Sequence, residues 1–90
     1  MNPEEIERFR INLLQQLREA GGENTLPVSM LLTGVRLGGF RDASADTVRS
    51  GLAYLQDKGF VASPPKAVSP ENKRWRITAA GIDFLAEEGV

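Results

Sequence analysis

The apolar positions change period along the chain, and the changes mark the elements. Ile6, Phe9, Leu13, Leu17 and Ala20 recur at helical spacing and predict one buried stripe, with Leu14 on its flank. Asn2 precedes them as a cap, Pro3 suits the first helical position, and Glu5 falls where a capping box wants a carboxylate. Gly21 and Gly22 stop this helix. Ile11 points away from the stripe, either as a lone exposed apolar residue or as part of a dimer contact. Thr25, Leu26 and Pro27 read as a short extended piece. Pro27 cannot donate to a ladder, so the piece belongs at a sheet edge or end. Val28, Leu31, Leu32 and Val35 restore helical spacing for a shorter second helix. Gly34 and Gly38, four apart, permit close packing there or let the helix end near Gly38.

Phe40 reads as a core plug in the turn from Leu37 to Ala43. Ser44 then caps a third helix, and Asp46 in its first turn suits the positive end of the dipole. Ala45, Val48, Leu52 and Leu55 make its buried face. Gly59 ends it with a positive φ, Phe60 returns to the core, and a short strand follows to Val61. The next residues hold Pro64, Pro65 and Pro70, which stiffen a loop. From Lys73 to Thr78 the period is two: Trp75 and Ile77 on the core face, Arg74 and Arg76 exposed. Thr78 caps a last helix with Ile82, Leu85 and Ala86 on one face and Phe84 off it. Glu87 and Glu88 oppose the dipole at its end, which predicts fraying.

Ninety residues make one domain, residues 1–90, of ordinary soluble composition. There is no cysteine and no histidine, which excludes disulfides, thiolate metal sites and the commonest general base. The carboxylates are scattered over helix ends and surfaces without a paired site, so an enzyme is not expected, and no cofactor or metal. No apolar run approaches the roughly 20 residues of a membrane helix. The acidic start argues against a signal peptide, so a cytoplasmic location is expected.

Net charge is −1, but it is unevenly distributed. Residues 1–35 carry three bases and five acids, residues 36–76 eight bases and four acids, and residues 77–90 three acids alone. A polyanion would be drawn to the middle segment. Chance clustering on a solvated surface is the competing explanation.

The element order and two strings carry a resemblance. The strings are Val48 to Val61, with Leu52, Leu55, Lys58 and Gly59, and Trp75 to Gly81, with Ile77 and Thr78. Together they resemble the winged-helix superfamily, whose MarR, PadR and ArsR types share a similar frame. More narrowly, the chain is similar to the small winged-helix proteins of Mu-like phages and prophages. The resemblance implies a mostly helical α+β fold, a winged helix-turn-helix in the order α-β-α-α-β-wing-β-α. It also implies DNA binding, with the third helix in the major groove and the wing along the backbone or minor groove. The expected DNA contacts are then Arg41 in the turn, Ser44, Thr47, Arg49 and Ser50 on the third helix, and Lys66, Lys73, Arg74 and Arg76 in or beside the wing. Arg74 and Arg76 could instead pair with Glu71 or Asp83. Asp46 and Asp57 on the outer side of the third helix are unwelcome next to a polyanion, which keeps a second expectation open: a winged helix used for protein–protein interaction. Ile11, Tyr54 or Phe84 could each flank the core or form a homodimer face.

Overall fold

The side-chain oxygen of Asn2 accepts the Glu5 backbone N–H at 2.9 Å and so starts the first helix, as its position before Pro3 predicts. The computed structural model describes residues 1–64 and 73–90. Along the chain run α1 (Pro3–Ala20), β1 (Leu26–Pro27), α2 (Val28–Leu37), α3 (Ala45–Asp57), β2 (Val61–Ala62), β3 (Arg74–Ile77) and α4 (Ala79–Glu88). This is the expected order, a mostly helical α+β winged helix-turn-helix. The segment between β2 and β3 for which the prolines predict a stiffened loop, with Pro65, Lys66 and Pro70, lies outside the described residues apart from its ends.

The three strands form one antiparallel sheet in the order β1-β3-β2. Leu26 faces Trp75 and Pro27 faces Arg74; on the other side Val61 faces Ile77 and Ala62 faces Arg76. Pro27 is therefore at the edge, where its missing N–H costs nothing. β3 alternates as read from the sequence: Trp75 and Ile77 buried, Arg74 and Arg76 exposed.

Phe9, Leu13, Leu14 and Leu17 of α1 are buried and meet α2, α3, α4 and β3. Leu14 is a core residue rather than a flank, because neighbours on several sides widen the buried stripe of α1. Ile6 and Ala20, at the helix ends, are only half-buried, and so are Val28 and Leu32 on α2 and Ala45 on α3. No polar or charged residue is buried among the described residues. No helix of the described residues is long and apolar enough to cross a membrane.

The turn between α2 and α3 is long, as expected, and tightly bonded. Phe40 donates its N–H to Val35 O at 3.0 Å and packs edge-to-face on Phe9, ring centres 5.3 Å apart. Arg36 closes the turn by donating Nε and Nη2 to Ala43 O at 3.0 and 2.9 Å. Between α1 and α2, Gln16 donates to Asn12 Oδ1 at 2.8 Å and to Leu31 O at 3.1 Å. Gly34 and Gly38 leave room for those amides: a Cβ at either would collide with Gln16 or Asn12.

α4 departs from expectation. Ile82 and Ala86 are exposed, while Gly81 and Leu85 are buried and Phe84 stacks on Phe60 with centroids 4.7 Å apart. The cause is the close approach at Gly81, where a Cβ would collide with Phe60 O and lie 2.8 Å from Ile77 Cγ1. Thr78 fixes that approach, donating its hydroxyl to Gly59 O at 2.6 Å and its N–H to Phe60 O at 3.0 Å. The C-terminal end of α4, where Glu87 and Glu88 oppose the dipole, is followed by a cap. Gly89 caps it at φ 71°, and Arg18 donates to Val90 O at 2.7 Å.

Gly81→Ala must push against backbone, so it is expected to lower the unfolding free energy by about 1–3 kcal/mol or more. Gly22→Ala meets nothing within 4 Å and is expected to be neutral or to stabilise by a few tenths of a kcal/mol up to about 1 kcal/mol. Urea unfolding of the two variants, compared with the parent, measures the contrast.

Candidate nucleic-acid interface

The outer side of α3 follows from its buried side. Val48, Gly51, Leu52 and Leu55 face the core, which leaves Asp46, Arg49, Ser50, Ala53, Gln56 and Asp57 exposed. Gly51 is small because α1 passes over it: a Cβ there would sit 3.0 Å from Leu13 Cδ1. The helix starts at Ser44, whose Oγ accepts the Thr47 N–H at 3.2 Å and lies 3.0 Å from Thr47 Oγ1. Ser44 and Thr47 are thus engaged with each other as a cap, and Thr47 is half-buried. Arg49 Nη1 donates to Asp46 Oδ1 at 3.1 Å. Ser50 is exposed and lines a depression of 230 Å³ with Thr47 and the N-terminal end of α1. Arg41 and Thr47 line a neighbouring one of 340 Å³ at the turn, beside Glu5 and Asp42.

The hairpin residues form a second group. The Lys73 ammonium stands 5.0 Å from the Trp75 ring centre, within cation–π range. Arg74 reaches across to the edge strand's approach, donating Nε to Thr25 Oγ1 at 2.8 Å and Nη2 to Thr25 O at 2.9 Å. Its carbonyl accepts from Ser63 Oγ at 2.7 Å. Among the described residues, the Arg76 side chain makes one long contact, 3.5 Å, to Ile77 O. Lys66, also expected here, lies outside the described residues. The fold therefore brings Arg41, Ser44, Thr47 and Ser50 together at one end of α3 and puts Arg74 and Arg76 on the exposed face of β3, while Lys73, just before the strand, lies against Trp75 of its other face. Among the described residues no hydrogen bond joins the two groups.

Gln56 adds a hydrogen-bonding side chain to the exposed side of α3, and helical spacing from Ser50 and Ala53 would have found it. Arg10 was overlooked too; its guanidinium carbon lies 3.5 Å from the centre of the Tyr54 ring, with the Lys58 ammonium 5.6 Å from that centre. The same region forms a groove of 410 Å³ between α1, α3 and α4, and Ile11, Tyr54 and Phe84 all line it. Ile11 is half-buried against the core rather than alone on the surface. No group of side chains that could hold a metal ion occurs among the described residues.

No protein-family model and no curated protein sequence matches the chain. Solved structures do match. A PadR-like transcriptional regulator from Bacillus cereus superposes with a TM-score of 0.70 at 22% identity, over 90% of this chain and 77% of that one. A transcriptional regulator from Clostridium thermocellum gives 0.71 at 18% identity, over 94% of this chain and 84% of that one. A Thermoplasma acidophilum protein gives 0.74 at 18% identity, over 91% and 75%. These are likenesses of fold, and they place the chain among winged helix-turn-helix structures.

Arg74 and Arg41 are expected to separate in a stability test. Arg74→Ala removes two bonds to the β1 approach and is expected to cost about 1 kcal/mol, the net worth of exposed hydrogen bonds. Arg41→Ala, on the exposed turn, is expected to stay within about 0.5 kcal/mol of the parent. Chemical denaturation of both variants gives the comparison.

Proposed function

We propose that the chain is a DNA-binding transcriptional regulator of prokaryotic or phage origin, acting in the cytoplasm. The observation that carries this reading is the outer side of α3, exposed over its whole length, together with a strand β3 whose exposed side chains, Arg74 and Arg76, are both cationic. In a winged helix-turn-helix those two surfaces are the ones a duplex meets. In this reading Ser44, Thr47, Arg49 and Ser50 approach the major groove. Arg41, Lys66, Lys73, Arg74 and Arg76 approach phosphates, with Arg74 the least available because Thr25 holds it. The fold likeness to regulators in Bacillus cereus and Clostridium thermocellum supports the assignment to transcription. The narrower proposal, a small winged-helix protein of a Mu-like phage or prophage, is supported by Ile77, Thr78 and Gly81 in the frame those proteins share.

A second reading has its own support. Asp46 and Asp57 weaken attraction to a polyanion, and the groove that gathers Ile11, Tyr54 and Phe84 offers a face of mixed apolar and charged side chains, with Glu7, Arg10 and Lys58 among its lining. As a protein-interaction module the chain would pair there, either with a second copy or with another protein. A homodimer through this groove is also compatible with DNA binding, since paired half-sites suit a two-fold axis.

Fluorescence anisotropy with a labelled duplex tests the first reading. Four or five phosphate contacts predict a loss of roughly two orders of magnitude in affinity between 50 and 200 mM salt. Arg41→Ala combined with Arg76→Ala is expected to reduce the slope of log K against log salt by about 2. Absence of binding even at the lower salt would overturn the reading. Sedimentation of the parent and of Tyr54→Glu tests the groove: a dimer that the substitution dissociates supports self-association, and a monomer at all concentrations removes it.

A further inference from the structure

Asp46 and Arg49 stand one turn apart near the start of α3, with side-chain exposures of 93% and 48%. Their 3.1 Å contact is the one ion pair among the described residues. Such an exposed pair adds little to stability. Its location is the informative feature. The residues near the N-terminus of a recognition helix are those that reach base edges. A carboxylate there repels phosphates and every acceptor in the major groove: N7 and O6 of guanine, N7 of adenine, O4 of thymine. Two base amino groups can donate to it. Adenine N6 is flanked by two acceptors, its own N7 and the O4 of the paired thymine, whereas cytosine N4 has an acceptor on one side only, the O6 of its paired guanine. Arg49 uses one N–H on Asp46 and retains others in a planar fork, the shape that matches O6 and N7 of guanine. It is the one arginine within α3. Nearby Ser50 donates or accepts equally, and Ala53 has no polar side-chain atom and offers at most contact to a thymine methyl, so neither reads guanine or cytosine.

We infer that Asp46 and Arg49 form a base-reading unit for a step of two G·C pairs, with Arg49 donating to the guanine of one pair and Asp46 accepting from cytosine N4 of the other. The inference rests on the DNA-binding reading and deepens it. Asp46 serves twice: it orients the Arg49 fork, and it turns away sequences that present only acceptors to it, which is discrimination by repulsion. The carboxylate that weakens general attraction to DNA thereby becomes a source of selectivity.

The test is selection from a pool of random duplexes by the full chain and by Asp46→Ala, Asp46→Asn and Arg49→Ala. Anisotropy on a random-sequence duplex at low salt and thermal unfolding are read in parallel. The parent is expected to enrich a motif with one fixed guanine and one fixed cytosine. Arg49→Ala is expected to lose the guanine. Asp46→Ala is expected to lose the cytosine, with discrimination at that position falling roughly fivefold or more, while its low-salt binding to random duplex tightens. Asp46→Asn is expected to shift that position towards adenine, which an amide reads through N6 and N7. Variants that remain folded and enrich the parent's motif unchanged overturn the inference, as does a parent that binds duplex without enriching any guanine or cytosine; both outcomes leave DNA binding intact. A parent that binds no duplex at low salt overturns the inference and the regulator reading together.

Discussion

β3 is four residues long, and the rest of the molecule depends on its alternation. It is the centre of the sheet, bonded to β1 on one side and β2 on the other. Trp75 and Ile77 turn inward and are buried, with α1 packed against the strand. Side chains on a strand alternate, so burying those two residues forces Arg74 and Arg76 out. A slip of one residue would drive both guanidinium groups into a core that holds no polar residue among those described, at a cost no local contact could offset. The same constraint thus sets the register of the hairpin and presents its cations.

Charge counted along the chain differs from charge offered at the surface, because the fold uses several of its cations internally. Arg36 closes the turn on Ala43 O, Arg74 ties β3 to Thr25, and Arg18 holds Val90 O. Arg10 and Lys58 cover the Tyr54 ring, and Arg49 is paired with Asp46. Of the described candidates, Arg41 and Arg76 are the least engaged. Among the described residues, engaged cations and two exposed acids on α3 make a surface poorly suited to indiscriminate binding to a polyanion.

Close contacts at glycines decide how the helices sit. Gly34 and Gly38 let α2 come against the Gln16 and Asn12 amides, and Gly51 lets α1 cross α3. Gly81 does the most, since it meets the backbone of Phe60 rather than a flexible side chain. With α4 pressed there, Phe84 stacks on Phe60 and Ile82 is left at the surface. The sequence of α4 is apolar on several sides, and its spacing alone pointed to Ile82 and Ala86 instead. Leu14 was misread for a related reason: periodicity finds the centre of a buried face, while its width depends on how many neighbours surround the helix.

By itself the sequence determined the caps at Asn2, Ser44 and Thr78, the element order, the edge position of Pro27 and the alternation of β3. Those features depend on residues within a turn or two of each other, where spacing and local chemistry leave few alternatives. Tertiary structure alone decided that Arg74 is held by Thr25, that Arg10 lies over Tyr54, and that Ile11, Tyr54 and Phe84 line one groove. Each of those unites residues from separate elements, and their meeting is set by how closely backbones pack, which no pattern along the chain records.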